Sequence, residues 1–230
     1  MIKLVNTLPR FKAQNAEYIK IRCLYDAYQN DDKVLFWVAD DDKAIISMTD
    51  GNMIIYNINA DIEELCEFVS VLNPAAIYSD YETLLNLGKK PKERINIMSR
   101  KADIEGTLES DVLSSKEIYE LLDVEGLSLP EYPYFAVDYC KRLNMGTAKY
   151  FALKNKCAII TFCTDDLAII NGLASKEKGF GGVALESALK QNFGKTLFVC
   201  CRDKVKGFYE KYGFSLCYYG GYWVKDNEYN

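Results

Sequence analysis

Lys176–Phe214, KEKGFGGVALESALKQNFGKTLFVCCRDKVKGFYEKYGF, decides how the rest of the chain is read. Gly179, Gly181 and Gly182 stand where an apolar helix pattern begins, so consecutive backbone N–H groups are left uncovered at the helix's positive end. That arrangement suits a pyrophosphate. A β-rich run, Thr196–Cys201, follows the helix, and a second helix, Asp203–Tyr212, closes the stretch.

Just before the stretch lie three strand-like runs, Thr147–Leu153, Ala158–Cys163 and Leu167–Ala174, with NK and TDD at the turns. Upstream of these, Ser114 and Glu117 have capping-box spacing for a helix through Leu122, and GLSLPEYP leads to a second helix, Tyr134–Leu143. After the stretch, Phe214–Tyr219 and Tyr222–Lys225 read as two short terminal strands.

The first half repeats this order with different residues. A helix over Phe11–Tyr28 precedes a meander of Val34–Ala39, Ala44–Met48 and Met53–Ile58, separated by DDDK and TDGN turns. Asp61–Leu72 is then helical, Ala75–Ser79 a strand, Tyr81–Leu87 a helix and Arg94–Ser99 a strand. The polar, aperiodic segment Lys101–Asp111 is expected to be a linker. The shared order reads as a structural duplication, with domains at 1–110 and 111–230. The first copy has no glycine cluster between its third strand and its long helix. Only the second is equipped for phosphates.

Composition narrows the chemistry. With no histidine in the chain, Ser-His-Asp and Cys-His catalysis, His-ligated zinc and a histidine base are excluded. The eight cysteines are scattered with no C-x-x-C pair, which reads as reduced core thiols. A net charge of -5 gives no reason to expect nucleic acid. The lack of a long apolar run or a signal-like start gives an expectation of a cytoplasmic protein with no membrane partner.

Two blocks carry a family resemblance. Lys176, Gly179 and Gly181 fall on a loop pattern of Arg or Gln, two residues, Gly, one residue, Gly or Ala. Phe208, Tyr209, Glu210, Lys211, Gly213 and Phe214 match an F-Y-E-K-x-G-F ending. Both blocks, with a strand between them, resemble the GNAT superfamily of acyl-CoA-dependent N-acetyltransferases over residues 115–225. The resemblance implies an α/β (α+β) fold, a mixed and mostly antiparallel sheet flanked by helices, in two tandem copies of which the first is degenerate. Lys176 departs from the pattern, keeping a cation but not arginine's planar fork.

The resemblance also implies a site. Leu173, Ala174 and Ser175 would offer backbone groups to the pantetheine arm of acetyl-CoA, and the amides of Lys178, Gly179, Phe180, Gly181 and Gly182 would hold its pyrophosphate, with Lys176 adding charge. Tyr209 would protonate the departing thiolate. The strand LAIINGLAS has no acid to act as base; Asp165 and Asp166 lie at its start, a water chain is the other route, and Asn171 is a candidate to orient a water or a carbonyl. Glu131, Tyr132 and Tyr134 would form an acidic, aromatic acceptor wall. Arg202 either reaches a phosphate or leaves the arm to backbone groups alone.

The expected function is therefore acetyl transfer from acetyl-CoA to a small-molecule or peptide amine by direct attack, with no metal, in a monomer or homodimer. A non-catalytic acyl-CoA sensor is a second reading, left open by the missing carboxylate. An aminoacyl or peptidyl transferase of tandem-GNAT type is a third, disfavoured by the acidic balance.

Overall fold

The computed structural model describes residues 1–11, 15–39 and 42–225, so part of the helix expected from Phe11 lies outside the described residues. Backbone contacts divide the chain into two compact units: Met1–Met98 together with the segment from Cys200 onward, and Ser99–Val199.

The first unit opens with a short edge strand, β1 (Lys3–Leu4), which carried no sequence signal. Helix α1 (Ala16–Tyr28) follows, capped by Asn15, whose side chain accepts the N–H of Tyr18. The meander is present as β2 (Val34–Val38), β3 (Ala44–Thr49) and β4 (Asn52–Asn57), all antiparallel, because turn residues separate three β-branched runs. Helix α2 (Ile62–Leu72) leads to β5 (Ala76–Asp80), which runs parallel to β4. Helix α3 (Tyr81–Asn86) and β6 (Glu93–Lys101) complete the first half.

Sheet alternation sorts this unit's two faces. Trp37, Ile46, Ile55 and Ile77 pack with Leu65 and Val69 of α2 and Leu84 of α3. Phe36, Tyr56 and Tyr78, of the opposite parity, lie on the α1 side, where Tyr25 meets Phe36 at 5.3 Å and Tyr18 meets Tyr56 at 6.0 Å.

In the second unit, α4 (Ser115–Leu122) carries the full capping box, the Ser114 side chain accepting from the Glu117 N–H and the Glu117 carboxylate accepting from the Ser114 N–H. Helix α5 (Tyr132–Asn144) starts earlier than the expected Tyr134, because Pro133 occupies its first positions, where a missing N–H costs nothing. Strands β7 (Ala148–Leu153), β8 (Cys157–Cys163) and β9 (Leu167–Ser175) form an antiparallel meander, and β10 (Thr196–Cys201) runs parallel to β9. Ala152, Ala158, Ile160 and Ala174 pack beneath Ile118, Leu121 and Leu122 of α4 and Phe135 and Tyr139 of α5. Helix α6 (Phe180–Gln191) covers the other face, and Asn192 after it donates to Thr161 at 3.2 Å. The expected linker is irregular but tied down: Ala102 is fully buried and exchanges backbone bonds with Gly194 and Lys195.

Helix α7 (Asp203–Lys211) and β11 (Ser215–Val224) return to the first unit, where β11 pairs antiparallel with β5, Gly220 opposite Asp80 and Val224 opposite Ala76. The two terminal strands expected from the sequence are thus one. Gly220 and Gly221 sit in mid-strand for lack of room: a Cβ would lie 3.0 Å from Cδ1 of Ile97 at the first and 2.8 Å from Cδ1 of Leu84 at the second.

Candidate functional site

The register of β9 defines the site. Ile160 of β8 pairs with Gly172 and Thr161 with Ile170, so Asn171 is the extra residue of a β-bulge. On its other side β9 pairs with β10 only over Leu167–Ile170, against Thr196–Val199. A bulge bends its strand and tightens the twist, which ends the parallel ladder at that point. The backbone of Gly172–Ser175 on the β10 side is therefore without a ladder partner among the described residues. Leu173, Ala174 and Ser175 are on this stretch, with Ala174 buried and Ser175 exposed. The Asn171 side chain is exposed.

The loop after β9 is anchored at its root, the Lys176 N–H donating to the Lys156 carbonyl at 2.7 Å. Gly179 precedes α6 at φ 96° and ψ -31°, a conformation that penalises any Cβ, and nothing lies within 4 Å of the position a Cβ would take. Among the described residues, no side chain caps α6. Two of the five amides named from the sequence are used locally: Phe180 N–H donates to Glu177 O at 3.3 Å and Gly182 N–H to Gly179 O at 3.1 Å. The amides of Lys178, Gly179 and Gly181 remain at the exposed helix start, where the helix dipole favours an anion.

The cations around this start are unequal. Lys156 lies with its Nζ 4.6 Å from the Phe180 ring centre, and its place in the turn between β7 and β8, remote in sequence from the glycine loop, gave no signal for it. Lys178 is exposed. Lys176 shares a small polar pocket with Lys154 and with Glu117 and Glu120, whose carboxylates offset part of the two lysines' charge.

Tyr209 belongs to α7, in the first unit, and is 7% exposed. Its ring packs against Phe208 at 5.1 Å and Phe214 at 5.7 Å. Burial, with lesser contributions from Cys201 and Cys200, raises the phenol well above its ordinary value, so the hydroxyl keeps its proton. Arg202, at the N-cap of α7, is engaged by Glu93, its Nε donating to Oε2 at 2.8 Å.

The acceptor-wall residues divide. Tyr132 is held inside the second unit, its hydroxyl 3.1 Å from Ser115 Oγ and its ring 5.4 Å from Tyr119. Glu131 precedes α5 without capping it, and Tyr134 is 70% exposed on the first turn. They form one end of α5, and of their two rings only that of Tyr132 packs against the core.

Sequence reasoning missed Glu17 altogether. It is 1% exposed on α1 and bonded to Tyr218 of β11, a partner 201 positions away, and no local pattern marks a pair of that separation.

Searched against solved structures, the chain matches a GCN5-related N-acetyltransferase from Kribbella flavida with a TM-score of 0.62, covering 92% of this chain and 94% of that one. The chain has the GNAT fold. A putative acetyltransferase from Pyrococcus horikoshii matches with a TM-score of 0.57 over 92% of this chain and 80% of its own. A GCN5-related N-acetyltransferase from Sphaerobacter thermophilus gives 0.55 over 90% and 84%. Sequence identities are 10%, 11% and 11%, so the likeness to these GNAT structures is one of fold. No protein-family model and no curated protein matches the sequence. Among the described residues, no helix is long and apolar enough to cross a membrane.

Proposed function

We propose that this protein transfers the acetyl group of acetyl-CoA to an amine. The observation that carries the reading is the bulge at Asn171, which ends the β9–β10 ladder one strand-length before an uncapped, glycine-started helix. Together they offer an extended backbone edge followed by an anion-binding helix start, the two features a pantetheine arm and a pyrophosphate require of a protein.

The residues fit that ligand. Gly172–Ser175 offer backbone donors and acceptors to the amides of the arm, and the amides of Lys178, Gly179 and Gly181 receive the pyrophosphate, with Lys156 and Lys178 nearby as cations. Acetyl-CoA supplies an activated acyl group as a thioester, so no protein nucleophile is needed. Asn171, exposed on the bulge, orients a water or the acyl oxygen. Tyr209, kept protonated by burial, donates to the sulfur as the C–S bond breaks.

The first copy has lost the corresponding feature. At α2 the N-cap Asp61 accepts from the N–H groups of Glu63 and Glu64, so the helix start is satisfied internally and carries three carboxylates that repel phosphate. In this reading one acetyl-CoA binds per chain.

The test is thermal denaturation with acetyl-CoA, CoA and ATP, together with acetyl transfer to a panel of amines. A ligand at a hundred times its dissociation constant adds about 2.7 kcal/mol to stability. Stabilisation by acetyl-CoA with turnover of an amine supports the reading; no response to any CoA species overturns it. Tight binding with no transfer to any amine would convert the proposal to an acyl-CoA sensor.

A further inference from the structure

The first unit segregates its charge. Residues 44–88 contain no lysine or arginine, and four cations then fall within KKPKER, Lys89–Arg94, against one carboxylate. That carboxylate, Glu93, is already engaged by Arg202 at 2.8 Å. Among the described residues, no carboxylate pairs with Lys89, Lys90, Lys92 or Arg94. A chain of net charge -5 thus carries a local positive surface that the whole-chain sum conceals.

Two of these cations are held by rings of the same unit. The Arg94 guanidinium carbon lies 4.1 Å from the centre of the Tyr219 ring, and Lys89 Nζ lies 4.5 Å from that of Trp223. Both rings belong to β11 and, being an even number of positions apart, project from the same side of the strand. That side faces α3: a Cβ at Gly221, between them, would meet Leu84, and Trp223 packs against the cluster that contains Leu84. Strand geometry sets the two rings, and with them the two cations, roughly 13 Å apart. A compact anion cannot touch both. A linear polyanion can, and the exposed Lys90 and Lys92 lie in the short stretch of chain that joins the two.

Arg94 adds more than charge. A guanidinium lying over a tyrosine has one face covered and the other free, so a flat base can stack on the free face while the N–H groups donate to phosphate. A chain of carboxylates would use the charge and leave the plane idle, and a lipid headgroup is too compact for the span. We propose that this surface of the first unit binds single-stranded nucleic acid, with phosphates on Lys89, Lys90, Lys92 and Arg94 and a base on the free face of the Arg94 guanidinium. The proposal does not rest on the acetyl-transfer reading.

The experiment uses the full chain and a fluorescein-labelled oligouridylate of about twelve nucleotides, read by fluorescence anisotropy. Four phosphate contacts to a single strand predict an affinity that falls about fiftyfold between about 50 mM and about 200 mM salt, and Arg94→Gln should bind more weakly and reduce that fall to about twentyfold. Arg94→Lys, which keeps the charge and loses the plane, should keep the salt dependence and bind several-fold more weakly than the wild type. Lys116→Gln, on α4 of the second unit, should bind as the wild type does. No binding at the lower salt, an affinity unchanged in both Arg94→Gln and Lys89→Gln, or Arg94→Lys binding as tightly as the wild type overturns the proposal. So does equal or tighter binding of a polyglutamate peptide, of a duplex of the same length, or of phosphatidylserine vesicles.

Discussion

Tyr218 donates its hydroxyl hydrogen to Oε2 of Glu17 at 2.5 Å, linking β11 to α1 across 201 positions of chain. The bond favours the ionised carboxylate, yet burial opposes it more strongly and the group titrates at about 7 instead of 4.5. An acid whose folded value is raised holds its proton longer in the native state than in the unfolded chain. Its contribution is fully present below about pH 4.5 and is lost as pH rises through 7. The loss amounts to about 3 kcal/mol. Glu17→Gln should remove this slope, so its urea midpoint should exceed that of the wild type at pH 8 and approach it at pH 5. Parallel profiles for the two proteins would show that Glu17 titrates normally.

Gly221 carries a prediction about packing. An added methyl would stand 2.8 Å from Cδ1 of Leu84 and 2.9 Å from Cγ of Pro91, and neither a buried leucine nor a proline ring has room to give. Gly221→Ala should cost about 1–3 kcal/mol as overpacking, read from chemical denaturation. Gly220→Ala meets the equally buried Ile97 at 3.0 Å, with no atom closer and no proline ring against it, and should cost less. Equal costs at both positions would point to strand flexibility instead of space.

How much of this was legible beforehand follows from where each signal resides. The two meanders were readable because TDGN and TDD punctuate β-branched runs, and α4 because Ser114 and Glu117 have capping-box spacing. Gly220–Gly221 misled, since adjacent glycines signal a turn; they answer to Ile97 and Leu84, which are distant in sequence. The bulge at Asn171 leaves no mark in LAIINGLAS, because it exists only as a register shift against Ile160 and Thr161. Local chemistry was visible, and pairings across the chain were not.

Gly179 tests the donor site. At φ 96° an alanine is strained by about 1–3 kcal/mol, and relief of that strain would turn the first amides of α6. Gly179→Ala should reduce the acetyl-CoA shift in melting temperature well beyond its effect on the unliganded protein. Gly88→Ala, at φ 68° just after α3 in the first unit, should lower stability without altering that shift. If both variants respond to acetyl-CoA as the wild type does, the start of α6 is not where the ligand's phosphates bind.

Tyr209→Phe addresses the chemistry. The phenylalanine keeps the ring among Phe208 and Phe214 and removes only the hydroxyl, so the fold should survive the change. An acid that protonates a leaving thiolate contributes typically about 10²–10⁴-fold. The loss in kcat should therefore be large at neutral pH and shrink at high pH, where a thiolate leaves without a donor. Because burial keeps the Tyr209 proton in place well above its ordinary range, the wild-type profile should show no falling alkaline limb from this group. A loss of equal size at every pH would make Tyr209 a packing residue, and an unchanged rate would remove it from the mechanism.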